Sequence, residues 1–158
     1  GLLAPVVGRL FDRFGARKLV IPGAVLVSAA LWQMAMLGQE SALWPVLVAH
    51  MTLSIGLALL FTPLFASSLG SLPRDLYAHG SAVIGTAQQI AGAAGIALFV
   101  SIMSLRTAAA LAGGADVLTA TATGLRMAFL CGASISLAMI FAAFFVRRPP
   151  AQEAGQQA

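Results

Sequence analysis

The sequence predicts an all-α, polytopic membrane helix bundle, and three observations support that prediction. Hydrophobic residues make up 59% of the chain and charged ones 9%, with a mean hydropathy of +0.93. That leaves too little polar surface to cover a soluble globule of this size. The charges also collect in the gaps between four uncharged apolar runs, each long enough to cross a hydrocarbon core of about 30 Å.

The chain opens inside an apolar run, Gly1 to Val7, which as a helix would reach about 10 Å, a third of that thickness. It reads as the tail of a helix that precedes the four spans. No secretory leader pattern is visible, and the expectation is the rear part of a longer protein. A basic turn follows: Gly8-Arg9-Leu10-Phe11-Asp12-Arg13-Phe14-Gly15-Ala16-Arg17-Lys18. Gly8 suits a close approach of two helices, and Gly15 suits the left-handed backbone that reverses the chain. Asp12 is the single anion among Arg9, Arg13, Arg17 and Lys18. It is expected to pair with one of them or to cap the helix that starts near Lys18. The cations can then hold the turn at an anionic membrane face.

The first span, Leu19 to Leu37, has Pro22 in its first turn, where a missing N–H costs little. Gly38 to Ala42 is a tight polar turn. The second span, Leu43 to Leu69, is long enough to tilt, with Trp44 at an interfacial level and Pro63 expected to kink its later half. Gly70 to Gly80 reads as an interfacial connector. The third span, Ser81 to Leu105, places Ser81, Gly85, Gln88, Gly92, Gly95 and Phe99 at alternating four- and three-residue steps, a seam for close packing on another helix. Arg106 to Arg126 is the longest connector, broken at Gly113-Gly114. The fourth span is Met127 to Val146. Residues 1–148 form one bundle in this reading, and residues 149–158 form a short disordered tail.

One side of the membrane would hold Arg9, Arg13, Arg17, Lys18, Arg74, Arg147 and Arg148, and the other only Arg106 and Arg126. The first side is cytoplasmic by the positive-inside rule, and four spans return the C-terminus to it. Within the spans, His50, Ser54, Phe61 and Phe65 fall on one side of the second helix. They can wall a cavity, or His50 can bond a neighbouring helix while the rings face lipid. Gln88 and Gln89 are costly in hydrocarbon without partners. They can line a substrate path or tie helices together, with Gln88 favoured inward because it shares the glycine seam. Ser28, Gln33, Ser101, Ser104, Ser134 and Ser136 read as helix-to-helix contacts. No Asp or Glu lies within any span.

The basic turn resembles the cytoplasmic loop signature of the major facilitator superfamily of secondary transporters, through Gly8-x-Leu10-x-Asp12-Arg13-Phe14-Gly15-x-Arg17-Lys18-Leu19. Phe11 and Ala16 stand where the family usually has a small and a basic residue. Those departures suit the second copy of the signature, in the C-terminal half. Gly85-Thr86-Ala87-Gln88-Gln89-Ile90-Ala91-Gly92-Ala93-Ala94-Gly95 is similar to the penultimate helix of the fourteen-span multidrug/proton antiporters of the EmrB/QacA type. Gln88 stands there in place of an arginine and Ala91 in place of a glycine. The resemblance implies the last four transmembrane helices of a major facilitator fold and proton-driven efflux of lipophilic compounds across a bacterial inner membrane. It also implies that Asp12 and Arg13 join a cytoplasmic charge latch with Gly8, Gly15, Arg17 and Lys18. The partners it implies are a lipophilic substrate, protons, the N-terminal half of the same chain and the lipid bilayer. On that reading the second and third spans face a midplane cavity, and the first and fourth lie outside.

The alternative is a self-contained four-span subunit without transport activity. Intramembrane hydrolysis would want paired acids, a zinc helix or an activated nucleophile with its base. The sequence has none, so neither an enzyme nor a metal or cofactor site is expected. The basic residues do not form the aromatic-interleaved groove that would suggest nucleic acid. Cys131 has no partner cysteine with which to form a disulfide.

Overall fold

The computed structural model describes residues 4–38 and 42–146. The described residues form five α-helices: α1 (Ala4–Phe14), α2 (Ala16–Met36), α3 (Leu43–Gly70), α4 (Tyr77–Ala112) and α5 (Val117–Ala143), with one 3₁₀ turn at Arg74–Leu76. The last four are long and apolar enough to cross a membrane. Glu40, Arg147, Arg148 and the tail 149–158 lie outside the described residues.

The burial pattern is that of a chain dissolved in lipid. The interior is made largely of small side chains, Ala16, Ala24, Ala30, Ala35, Ala49, Ala120, Ala128, Ala133 and Ala143 among them, while Met36, Leu43, Val83 and Leu105 are at least two-thirds exposed. In water such exposed apolar area would be untenable. In a bilayer it costs nothing, and small residues at helix contacts let backbones approach and gain dispersion energy.

The central element is α2, packed between α3 and α5, with α4 joined mainly to α5 and touching α3 little. Val20, Ala24 and Val27 of α2 meet Leu60 of α3 and Ala143 of α5 in one cluster. Among the described residues α2 is the most buried span, and α3 and α4, expected to face the cavity of a complete transporter, are less covered. The α2–α3 contact turns on two glycines. A Cβ on Gly23 would lie 3.0 Å from the Gly56 carbonyl oxygen, and one on Gly56 would lie 2.8 Å from Val27 Cγ2 and 2.9 Å from Val27 N. At the other side of α2, Ser136 Oγ donates to Ser28 Oγ at 2.8 Å, with the Ala133 carbonyl at 2.6 Å as its alternative acceptor. Gln33 Nε2 donates to the Pro45 carbonyl at 3.4 Å. Ser28, Ser136 and Gln33 thus tie helices together as expected, whereas Ser134 bonds only Leu130 of its own helix.

The helices outrun the hydropathic spans. At about 1.5 Å per residue, the 36 residues of α4 reach about 54 Å. Most of the Arg106–Arg126 connector is helical, because the arginines mark where the apolar run ends while the alanine-rich backbone beyond them continues to coil. Only Gly113 to Asp116 is not helical. Gly114 has φ 88°, and Ala115 N–H donates back to the Ala110 carbonyl at 3.1 Å, closing α4 with a left-handed cap. Asp116 then caps α5, accepting from the amides of Leu118 and Thr119 at 3.1 and 3.2 Å.

Hydrogen bonds from the Thr119 side chain, then its amide and that of Leu118, hold the Asp116 carboxyl below its ordinary pKa. A depressed carboxylate stabilises the fold above its unfolded pKa and loses that contribution as pH falls through the folded one. Asp116→Ala should accordingly raise amide exchange at Leu118 and Thr119 at neutral pH. The parent should approach the variant's rates only on acidification below the normal aspartate range, and equal exchange in both proteins at neutral pH would dismiss the cap.

The glycine seam on α4 makes no close contact among the described residues. Nothing lies within 4 Å of where a Cβ would stand on Gly85, Gly92 or Gly95, and α4 has no buried residue. The close contact between α4 and α5 is made instead from α5. A Cβ on Gly124 would meet the Met103 carbonyl at 2.5 Å and Thr107 N at 3.2 Å, and Phe99 packs edge-on to Phe129 at 5.1 Å. The hairpin is thus clamped near its connected end, where α5 supplies the bare backbone, and the α4 seam is left open.

Candidate functional site

Two places bring the singled-out residues together. The first is the α1–α2 junction. Gly15 has φ 79° and ψ 166°, a region of backbone space open essentially to glycine alone. Its N–H still closes the last turn of α1 on the Phe11 carbonyl at 2.8 Å. The positive φ expected at Gly15 is present, but with an extended ψ in place of the left-handed helical one. Asp12 does not cap the following helix: α2 starts at Ala16, with Gly15 as its N-cap and no side-chain cap bond. Only Gly15 separates the two helices, too little chain for the carboxylate, on the exposed side of α1, to fold back over the first amides of α2. Among the described residues nothing lies within 4 Å of where a Cβ would stand on Gly8.

What organises the junction is a residue that sequence reasoning passed over. The Arg13 guanidinium lies 5.4 Å and the Lys18 ammonium 5.9 Å from the ring centroid of Phe14, both within cation–π range. The ring lies between α1 and α2 and takes a cation from each. Arg9, Arg13, Arg17, Lys18 and Asp12 are all exposed, while Val7 and Ala16 are buried on the inner side. The spacing of Arg13, Phe14 and Lys18 about Gly15 was the signal for this arrangement.

The second place is a cleft of about 860 Å³ between α3 and α4, walled by Phe61, Thr62 and Phe65 on one side and Gln88, Ala91 and Gly92 on the other. Its volume lies within the range of about 300–1,000 Å³ usual for small-molecule sites. Phe61, Phe65 and Gln88 meet there, and the open seam explains why, since Gly92 leaves the wall bare beside Gln88. Gln89, His50 and Ser54 do not line this cleft. Ser54 Oγ donates to the His50 carbonyl at 2.9 Å, and Thr52 Oγ1 to the Val48 carbonyl at 2.8 Å, so both hydroxyl hydrogens are used within α3. His50 is exposed on the same helix, closer to its N-terminal end. No cluster of three or more potential metal ligands occurs among the described residues.

The chain as a whole is similar to known proteins. The chain is 35% identical over 154 residues to the lincomycin resistance protein LmrB of Bacillus subtilis, a match covering 94% of this chain and 32% of LmrB. It is 33% identical over 155 residues to the uncharacterized MFS-type transporter YcnB of the same organism, covering 97% of this chain and 32% of YcnB. The chain belongs to the MFS-type transporters. It is an integral membrane protein, and it spans about a third of the length of these relatives. The LmrB of Listeria monocytogenes is similar at 32% identity over 154 residues. No protein-family profile matches the chain, and no solved structure matches it.

Proposed function

We propose that this chain is the C-terminal part of a proton-coupled secondary transporter that expels lipophilic, cationic compounds across the bacterial inner membrane by alternating access. The observation behind this reading is the α3–α4 cleft, in which two phenylalanine rings face one glutamine across a bare glycine wall. Aromatic faces attract organic cations, and a lone amide can orient a ligand without a fixed charge to repel one. The relatives support the class: LmrB is by name a resistance protein. In the complete transporter the cleft would face the other half of the chain, so that rocking of the halves alternately opens and closes it. The proton-carrying carboxylate would lie outside this segment. Asp12 and Arg13 would act at the cytoplasmic end as a latch, with the C-terminus on the same side.

The test is proton-gradient-dependent efflux of a lipophilic cationic dye by the full-length transporter, comparing Gln88→Leu with Gln89→Leu. The first should lower efflux on the order of tenfold, as expected when a buried polar contact worth about 1.4 kcal/mol is lost. The second should leave efflux near the parent. Parental efflux from Gln88→Leu at equal membrane abundance would remove the cleft from the transport path.

A further inference from the structure

We infer that the end of the bundle opposite the basic turn holds an anionic phospholipid, its phosphate on Arg126 and one acyl chain in the hollow beside it. The last turn of α2, the first turn of α3 and the N-terminal half of α5 enclose a cavity of about 550 Å³ there. Met34, Leu37, Leu125 and Phe129 make its wall apolar. A smaller adjoining cavity of about 270 Å³ shares Leu37 and Arg126 with it and adds Thr123. Arg126 therefore stands where an apolar hollow meets a polar one.

The chemistry of the lining selects the occupant. Thr121 Oγ1 donates to the Val117 carbonyl at 2.7 Å and Thr123 Oγ1 to the Thr119 carbonyl at 2.8 Å. Both threonine hydrogens are committed within α5. The Arg126 guanidinium is then the charged donor of the site, and among the described residues no carboxylate lines either cavity. A guanidinium at the edge of an apolar hollow favours a planar or tetrahedral oxyanion that it can grip with two N–H groups.

The level in the membrane fits as well. Arg126 immediately precedes the uncharged run that starts at Met127, Leu37 ends the first span, and the exposed Trp44 stands in the first turn of α3. All three mark the boundary between hydrocarbon and headgroups, which is where a phospholipid carries its phosphate. An oxyanion at that depth joined to an alkyl chain is what one leaflet presents there. The inference does not depend on the transport reading, because it needs only that the chain spans a bilayer.

Native mass spectrometry of the full-length transporter would decide the matter, with phosphatidylglycerol and phosphatidylcholine offered in equal amounts and palmitate as competitor. The parent should retain phosphatidylglycerol preferentially. Arg126→Gln should weaken its retention about tenfold, as for loss of one charge-assisted contact, while Arg126→Lys, which keeps the charge but not the two-pronged grip, should fall between the parent and Arg126→Gln. Ala122→Phe, which fills the shared wall without changing charge, should lose phosphatidylglycerol too, so the test survives if Arg126→Gln fails to fold. Equal retention by the parent and Ala122→Phe, or by the parent and a folded Arg126→Gln, would overturn the proposal. So would full displacement by palmitate, which would make the occupant a free fatty acid, and so would equal retention of the two lipids by the parent.

Discussion

Gly56→Leu in the full-length transporter should abolish the folded protein, recovered as loss of the monodisperse species in detergent, while Gly132→Ala leaves it intact. At position 56 the first added carbon would already stand 2.8 Å from Val27 Cγ2, 2.9 Å from Val27 N and 3.0 Å from the Gly23 carbonyl oxygen. Two of those three are backbone atoms of α2, so no rotamer change relieves the overlap. The helices must separate, and with them goes the seating of Leu60 beside Val20, Ala24 and Val27. Overpacking by a methyl group alone typically costs about 1–3 kcal/mol, so Gly56→Ala should lower the melting temperature measurably and Leu should exceed what a marginally stable fold tolerates. At Gly132 nothing lies within 4 Å of the added carbon. Folding of Gly56→Leu with a parental melting temperature would show that the α2–α3 approach is not as close as described.

Asp12→Asn should leave insertion and melting temperature near the parent yet reduce proton-driven dye efflux at least about tenfold, the scale of one charged hydrogen bond. The structure sharpens this expectation. Asp12 is exposed, caps no helix, and leaves Arg13 and Lys18 to the Phe14 ring. Its charge has little to do for the stability of this segment, and the change should register in the cycle rather than in the fold. A stability loss equal to the activity loss would make Asp12 a structural residue. Parental efflux would remove the latch.

The fold class and the number of crossings were legible because each rests on a one-dimensional quantity, the run of uncharged residues against the thickness of hydrocarbon. The turn at Gly15 was legible for a similar reason, since a glycine between two helical runs can take a φ that other residues avoid. Helix ends were less so. Arg106 and Arg126 interrupt hydropathy but not coiling, and the break had to come from Gly114 and the Asp116 cap.

Which small-residue face meets which was the part that three dimensions decided. Gly85, Gly92 and Gly95 make a regular seam in the sequence, yet so do Ala120, Gly124 and Ala128 on α5, and Ala49, Gly56 and Pro63 on α3, and it is the latter two sets that are buried. In water the apolar stripe of a helix points inward of necessity. In lipid every apolar face is equally well solvated, so periodicity names candidate contacts without ranking them. The ranking comes from the shape of the opposing helix: Val27 and Gly23 offer a groove to Gly56, Met103 and Thr107 offer one to Gly124, and no helix among the described residues offers one to Gly92. The sequence by itself determined that this is a four-span membrane bundle turning on a basic, glycine-hinged junction. That the open glycine wall belongs to a cleft shared by Phe61 and Gln88 was decided only when those other two seams had closed.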